Sequence, residues 1–230
     1  YIRSPYKFEK KIRLTLDYKE DLKLFRLLFN KFGIYEIRKI ELEIAREYPK
    51  NLIRCPTHLS IGQEGVSAAF SQCIKQRDYV VTSHRSHAHY IAKGGNLKKM
   101  IAEIYGKATG CSKGKGGSMH LIDESVGFMG STAIVGGTVP VGVGLAYGMK
   151  VRKSNQVSCV FHGDAVVETG AFFESVNFAV VKKLPVLFKG KTSAIKRKRA
   201  KGNIGPKPKS IRYPISASGR NFVVSLTSKF

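Results

Sequence analysis

Apolar side chains recur at three- and four-residue steps from about Tyr18 to Tyr48, through Leu24, Leu27, Leu28, Ile34, Ile37, Leu42 and Ile44, and predict a docking or core helix. Gly33 is placed to bend it and Pro49 to end it. His58 to Ala69 runs from a loop into a helix, with Gly62 and Gly65 near the junction. Asp78 to Ser83 reads as a short strand centred on Tyr79, Val80 and Val81, and Leu97 to Tyr105 as a helix. Thr109 to Gly130 is a long loop rich in glycine, including Gly114, Gly116 and Gly117, and ordered loops of that length often carry function. Gly136 to Lys150 predicts a helix with small residues suited to close packing. Val157 to Phe161 is an apolar strand, Glu168 to Lys182 a helix with Phe172, Phe173, Val176, Ala179 and Val180 on one side, and Leu184 to Phe188 the next strand. Strand, helix and strand in that order form a βαβ unit, which requires a parallel sheet. Residues 1–17 are a basic arm without period, and beyond Phe188 no period is convincing until Phe222 to Leu226.

Composition adds a globular class and an uneven charge. Apolar residues make up 43% of 230, and the net charge is +24. Residues 189–230 hold 12 Lys and Arg and no acid, so half of that charge sits in the last segment, a pattern typical of tails that meet nucleic acid or anionic surfaces. The chain opens on Tyr1, and the true N-terminus is expected to precede it. Cys55, Cys73, Cys111 and Cys159 are scattered without a CxxC pair, which argues against a zinc ribbon or a dithiol motif and for free thiols in a reducing compartment. No early stretch has a signal-peptide pattern, and the weakly polar run Ala133 to Met149 is dense in glycine and shorter than a span of roughly 20 residues, so a soluble protein is expected.

Three groups could carry chemistry. His162-Gly163-Asp164 closes a strand, and the carboxyl ends of parallel strands are where ligands bind. An Asp there either offers oxygen to a hard cation such as Mg²⁺ or caps the following turn. His84-Arg85-Ser86-His87-Ala88-His89 follows another strand; Arg forks onto phosphate and histidines donate or exchange protons. Zinc at His87 and His89 lacks a third ligand at a diagnostic spacing, and an exposed polar loop without a role is the plain alternative. Gly114 to His120 superficially resembles a phosphate loop without the Walker order; its glycines permit a backbone that packs closely on something.

The order of these groups resembles one family. His58-Leu59-Ser60-Ile61-Gly62-Gln63-Glu64-Gly65, then Thr82 to His87, Gly114 to His120, Ala133-Ile134-Val135-Gly136-Gly137 leading to Pro140, and Gly163-Asp164 are similar, in order and spacing, to the alpha subunit of the E1 component of thiamine diphosphate-dependent 2-oxo acid dehydrogenases, of pyruvate, branched-chain or acetoin type. The resemblance covers roughly residues 18–188. It implies an α/β thiamine-diphosphate-binding fold with a parallel sheet flanked by helices, here incomplete at its C-terminal side. It also implies an E1 beta partner in an α2β2 assembly, a lipoyl E2 acyltransferase as acceptor and a 2-oxo acid as substrate. Asp164 matches the first Mg²⁺ ligand and Arg85 the diphosphate clamp. His84 stands where relatives often have Tyr. Ala133 and Val135 match backbone contacts to the aminopyrimidine, and Ala165 and Val166 contacts on the phosphate side. His58 matches a substrate-pocket position, and His87 an active-site histidine that donates a proton or binds an anion. The implied location is a bacterial cytoplasm or an organelle matrix.

The match breaks after Phe188. The family closes its cation site with Asn-Asn after the next apolar strand, whereas this chain reads Lys189-Gly190-Lys191-Thr192-Ser193, with Ser193 at the place of the second metal ligand. Residues 189–230 are therefore expected to be atypical of the family: a frame-shifted or misjoined segment, a genuine basic tail, or a solvated extension. The alternatives to the enzyme subunit are an inactive remnant of it and, on net charge alone, a nucleic-acid-binding protein.

Overall fold

The computed structural model describes residues 33–191, 213–217 and 220–224. Residues 1–32, which include the predicted arm and the first half of the predicted first helix, lie outside the described residues. The remainder of that helix is α1 (Ile34–Glu47), entered through Gly33 at φ 69° and closed by a 3-10 turn at Tyr48–Lys50 with Pro49 inside it. There follow α2 (Glu64–Ser71), β1 (Tyr79–Ser83), α3 (His87–Ala92), α4 (Leu97–Ile104), β2 (Phe128–Thr132), α5 (Thr138–Val151), β3 (Ser158–Gly163), α6 (Gly170–Val181), β4 (Val186–Lys191), β5 (Tyr213–Ala217) and β6 (Arg220–Val224). No helix among the described residues is long and apolar enough to cross a membrane.

The first four strands form one parallel sheet in the order β2-β1-β3-β4. Its two central strands are nearly continuous runs of buried residues, as expected of a sheet covered on both faces. Because side chains alternate along a strand, neighbours enter different cores. Val81, Val160, Val186 and Phe188 pack with α5 and α6. Val80, Cys159 and Phe161 pack with Ile44 of α1, Tyr90 of α3 and Met100 and Ile104 of α4. The βαβ unit and the parallel sheet are as the hydrophobic pattern predicts, and the helix and strand ends shift by a few residues.

Three features differ from the sequence-based expectation. β2 emerges from the end of the glycine-rich segment, because Phe128-Met129-Gly130-Ser131-Thr132 pairs with β1 at the sheet margin with only a short apolar signal. On α6 the apolar side is narrower than read. Phe172 and Ala179 are buried, while Phe173 and Val180 are exposed, since residues one apart on a helix lie about 100° apart. Finally, β4 continues through Lys191, so the strand passes the boundary placed at Phe188, and β5 pairs antiparallel with β6, of which only the Phe222 to Leu226 stretch showed a period.

α5 approaches the sheet through Gly142. A Cβ there would lie 2.2 Å from Val160 Cγ2 and 2.9 Å from Val81 Cγ2, whereas a Cβ at Gly144 meets nothing within 4 Å. Gly142→Ala is therefore expected to lower stability by about 1–3 kcal/mol through overpacking. Gly144→Ala on the same helix should be neutral or stabilising by up to about 1 kcal/mol. Urea midpoints of the two variants check the contrast, and equal midpoints would mean that α5 does not sit this close.

Candidate functional site

The strand order fixes where a site can form. From β1 the chain turns toward β2 on one side, and from β3 toward β4 on the other, so the carboxyl ends of β1 and β3 flank a switch point. In open α/β sheets that crevice is the ligand position. His84 and Arg85 leave β1 there, and Asp164 leaves β3 there.

Around this edge several predicted residues do come together. The rings of His58 and His84 meet edge to face, with centroids 4.9 Å apart. Arg85 is exposed, and its guanidinium donates to the Leu59 carbonyl at 2.5 Å. Ser60 Oγ donates to the Arg85 carbonyl at 3.3 Å, so the 58–60 loop and the segment after β1 are tied in both directions. His58 Nδ1 is buried without a hydrogen-bond partner. A buried unpaired ring nitrogen is costly and marks a place for a ligand or water. Asp164 and Ala165 are exposed in a 3-10 turn, Asp164–Glu168, whereas the Val166 side chain belongs to the core. Val166 is buried as a whole, and its carbonyl accepts from the Thr169 amide and hydroxyl. Ala133 is half-buried and Val135 is exposed. Their segment passes the same turn, since a Cβ at Gly136 would be 3.5 Å from Thr169 Oγ1 and 3.9 Å from Val166 Cγ1.

His87 is placed differently from the other candidates. It is fully buried, with Nδ1 3.1 Å from Glu41 Oε1 and Nε2 2.9 Å from Ser118 Oγ. Nε2 is engaged with Ser118, whereas Nδ1, although close to Glu41, makes no hydrogen bond. His89 is buried as well, stacked on Phe161 with Nδ1 2.9 Å from Ser67 Oγ. Among the described residues no group of three His, Cys, Asp or Glu could hold a metal ion.

The glycine-rich segment is organised from within. Glu103, fully buried on α4, accepts N–H groups from Ser112 at 2.7 Å and Gly114 at 2.8 Å on one oxygen, and from Gly116 at 2.6 Å and Gly117 at 3.2 Å on the other. The backbone amides that gave the segment its likeness to a phosphate loop thus point at a carboxylate of the protein itself. Glycine is required by the closeness of the wrap: a Cβ at Gly110 would stand 2.3 Å from Glu103 Oε2, and one at Gly116 2.1 Å from the His120 carbonyl. Glu103, Glu41 and Ser118 were not among the residues expected from the sequence to build the site. For Glu103 there was a signal, an acid in the apolar row of Met100 and Ile104.

Beside this segment, Tyr90 donates to Asp123 Oδ2 at 2.9 Å. Burial, then the Asp123 bond, pushes the Tyr90 phenol well above its ordinary range. Burial of Asp123 works the other way, but hydrogen bonds from Ser125 and Tyr90 outweigh it and hold the carboxyl below the usual value.

The family model of the dehydrogenase E1 component matches residues 33–190. The chain belongs to the dehydrogenase E1 component family. Over 152 residues it is 43% identical to the pyruvate dehydrogenase E1 component subunit alpha of Rickettsia bellii (strain RML369-C), covering 66% of this chain and 47% of that protein. Its identity to the mitochondrial pyruvate dehydrogenase E1 component subunit alpha of Solanum tuberosum is 38% over 152 residues, 66% of this chain and 39% of the relative. The mitochondrial subunit alpha of Dictyostelium discoideum is 37% identical over 174 residues, 76% of this chain and 44% of the relative. This E1-family chain thus spans less than half the length of these curated relatives. A solved thiamin diphosphate-dependent enzyme from Mycobacterium smegmatis overlaps 55% of this chain and 20% of its own at 16% identity and a TM-score of 0.34. The α/β assignment rests on the sheet order rather than on that overlap.

Glu103→Gln leaves one acceptor and one donor where four N–H groups converge. The E1-family chain carrying it is expected to lose on the order of 2–4 kcal/mol through orphaned buried donors. Limited proteolysis should cut first within residues 106–120, and an unchanged urea midpoint would show that the carboxylate does not hold the segment.

Proposed function

We propose that this chain is the core of an E1 alpha subunit that binds the diphosphate end of thiamine diphosphate at the switch point between β1 and β3, for the oxidative decarboxylation of a 2-oxo acid. The observation that carries the proposal is the joint delivery of His84 and Arg85 from β1 and Asp164 from β3 to one sheet edge. The residues suit the anionic end of the cofactor: an exposed guanidinium, two imidazole rings in contact and a buried ring nitrogen without a partner.

Each residue has a part in this reading. Arg85 holds a phosphate through its guanidinium, with Leu59 steadying its direction. His84 supplies a further ring donor. Asp164 serves as the Mg²⁺ ligand, sharing the cation with phosphate oxygens. The backbone of Ala165 and Val166 lines the phosphate side, and that of Ala133 and Val135 faces the aminopyrimidine. His58 borders the substrate pocket, where Nδ1 is available to hold a carboxylate or a proton. His87, as a proton donor to bound substrate, has the weakest support of these roles, because it is fully buried and its Nε2 is engaged with Ser118. When bound, thiamine diphosphate supplies the carbanion chemistry of decarboxylation, and the protein contributes binding and orientation.

The proposal extends to partners and place. An E1 beta subunit completes the site in an α2β2 assembly, and a lipoyl E2 accepts the acyl group. Exposed Val141, Tyr147 and Val151 on α5 and Phe173 and Val181 on α6 are apolar surface of the kind a subunit interface covers. Relatives named as mitochondrial or found in bacteria favour an organelle matrix or a bacterial cytoplasm.

One observation favours the second reading, an inactive remnant. Lys191 stands opposite Gly163 in the β3–β4 register, and Lys189 opposite Phe161, so β4 carries lysine positions beside the strand that leads into Asp164. Ser193 lies outside the described residues. Calorimetric titration of thiamine diphosphate into the full chain purified with a beta subunit separates the two. The enzyme reading expects Mg²⁺-dependent binding that Arg85→Ala weakens about 10- to 100-fold, the range of about 1.5–3 kcal/mol for hydrogen bonds to charged groups. Asp164→Asn should abolish the Mg²⁺ dependence. Affinity indifferent to both substitutions would reject the site, and no binding at all would favour the remnant.

A further inference from the structure

Three segments of the site meet on one buried carboxylate that no comparison or motif assigns. Glu41, on α1, is fully buried. Its Oε2 accepts the Ser60 N–H at 2.7 Å, and its Oε1 lies 3.1 Å from His87 Nδ1. His87 Nε2 lies 2.9 Å from Ser118 Oγ, which also accepts the His58 N–H at 3.2 Å. The Ser118 carbonyl in turn accepts from Ser86 Oγ at 3.2 Å.

The His58 amide can only donate, so it uses a lone pair of Ser118 Oγ. The second lone pair and the hydroxyl proton both remain open to His87 Nε2, so this pair joins the two segments in either tautomer. Glu41 Oε1 lies close to His87 Nδ1 without a hydrogen bond to it. Acid, imidazole and hydroxyl in this order have the connectivity of a hydrolase triad. Ser118, however, is 1% exposed and its oxygen is held by a backbone amide, so it anchors a loop instead of attacking a substrate.

We propose that Glu41 is a positioning residue for the candidate site: through the Ser60 amide it fixes the 58–60 loop that carries the His58 ring and the Leu59 carbonyl beneath Arg85, a loop whose His58 amide Ser118 holds at the other end. The functional part of this inference rests on the cofactor reading above. A carboxylate offers the Ser60 amide acceptors alone, whereas a Gln at 41 carries a donor group of its own that competes for that place.

The test uses the full chain. Glu41→Gln is expected to speed amide hydrogen exchange at Ser60 at least about tenfold while β3 amides keep their protection. Unchanged exchange at Ser60 would overturn it. If Glu41→Gln also exposes β3, Ser118→Ala decides: exchange should rise at His58 alone, and an unaltered rate there would equally overturn it. Where the wild type binds thiamine diphosphate, Glu41→Gln should weaken that affinity about tenfold, or about 1.4 kcal/mol. Equal affinity would reduce Glu41 to a structural residue and reject the positioning role. A wild type that binds no thiamine diphosphate when purified with a beta subunit refutes the cofactor reading and with it the positioning role, while the exchange rates still report on the Glu41–Ser60 contact.

Discussion

The structure depends on satisfying buried carboxylates with donors drawn from segments that have no regular hydrogen bonding of their own. Leaving a charged oxygen without partners in a protein interior is prohibitive. Glu103 resolves this with four backbone amides of the glycine-rich segment, and in doing so gives that segment a shape. Asp78 does the same at the amino end of the sheet, where its oxygens accept from Lys75 N–H and from Val157 N–H and tie the start of β1 to the approach of β3. Irregular chain is thereby held as firmly as helix or strand, and a site can be built from loops.

The parallel sheet sets the direction in which those loops project. With β1 and β3 central and covered on both faces, the loops that leave their carboxyl ends project to one edge of the sheet. Basic groups arrive there from β1 and an acid from β3, which suits an anion partnered by a cation. In that sheet β4 ends in Lys189-Gly190-Lys191, in register with Phe161-His162-Gly163, the residues that lead into Asp164.

The histidines show how burial sorts residues that look alike in sequence. His84, His87 and His89 lie within one short run. His84 is half-buried against His58 at the sheet edge. His87 turns inward to Glu41, and His89 lies on Phe161 in the core beneath the sheet. The turn into α3 rotates successive side chains by about 100°, so a single loop supplies a surface group, a network member and a core aromatic.

The sequence alone determined the elements whose signal is local. The period of α1, the apolar runs of β1 and β3, the βαβ unit and the order of His58, Arg85, the glycines and Gly163-Asp164 were all legible, since helix and strand periodicity and turn chemistry act over a few residues. β2 and the β5–β6 pair were not, because marginal strands gain their hydrogen bonds from partners far along the chain. Nor could the sequence show that Gly114 to Gly117 close on Glu103, that Glu41 reaches both Ser60 and His87, or that Val166 faces the core while Asp164 faces solvent. Those outcomes depend on which donors and acceptors the packed sheet and helices bring within 3 Å or so of one another, a long-range geometry that only the tertiary structure decides.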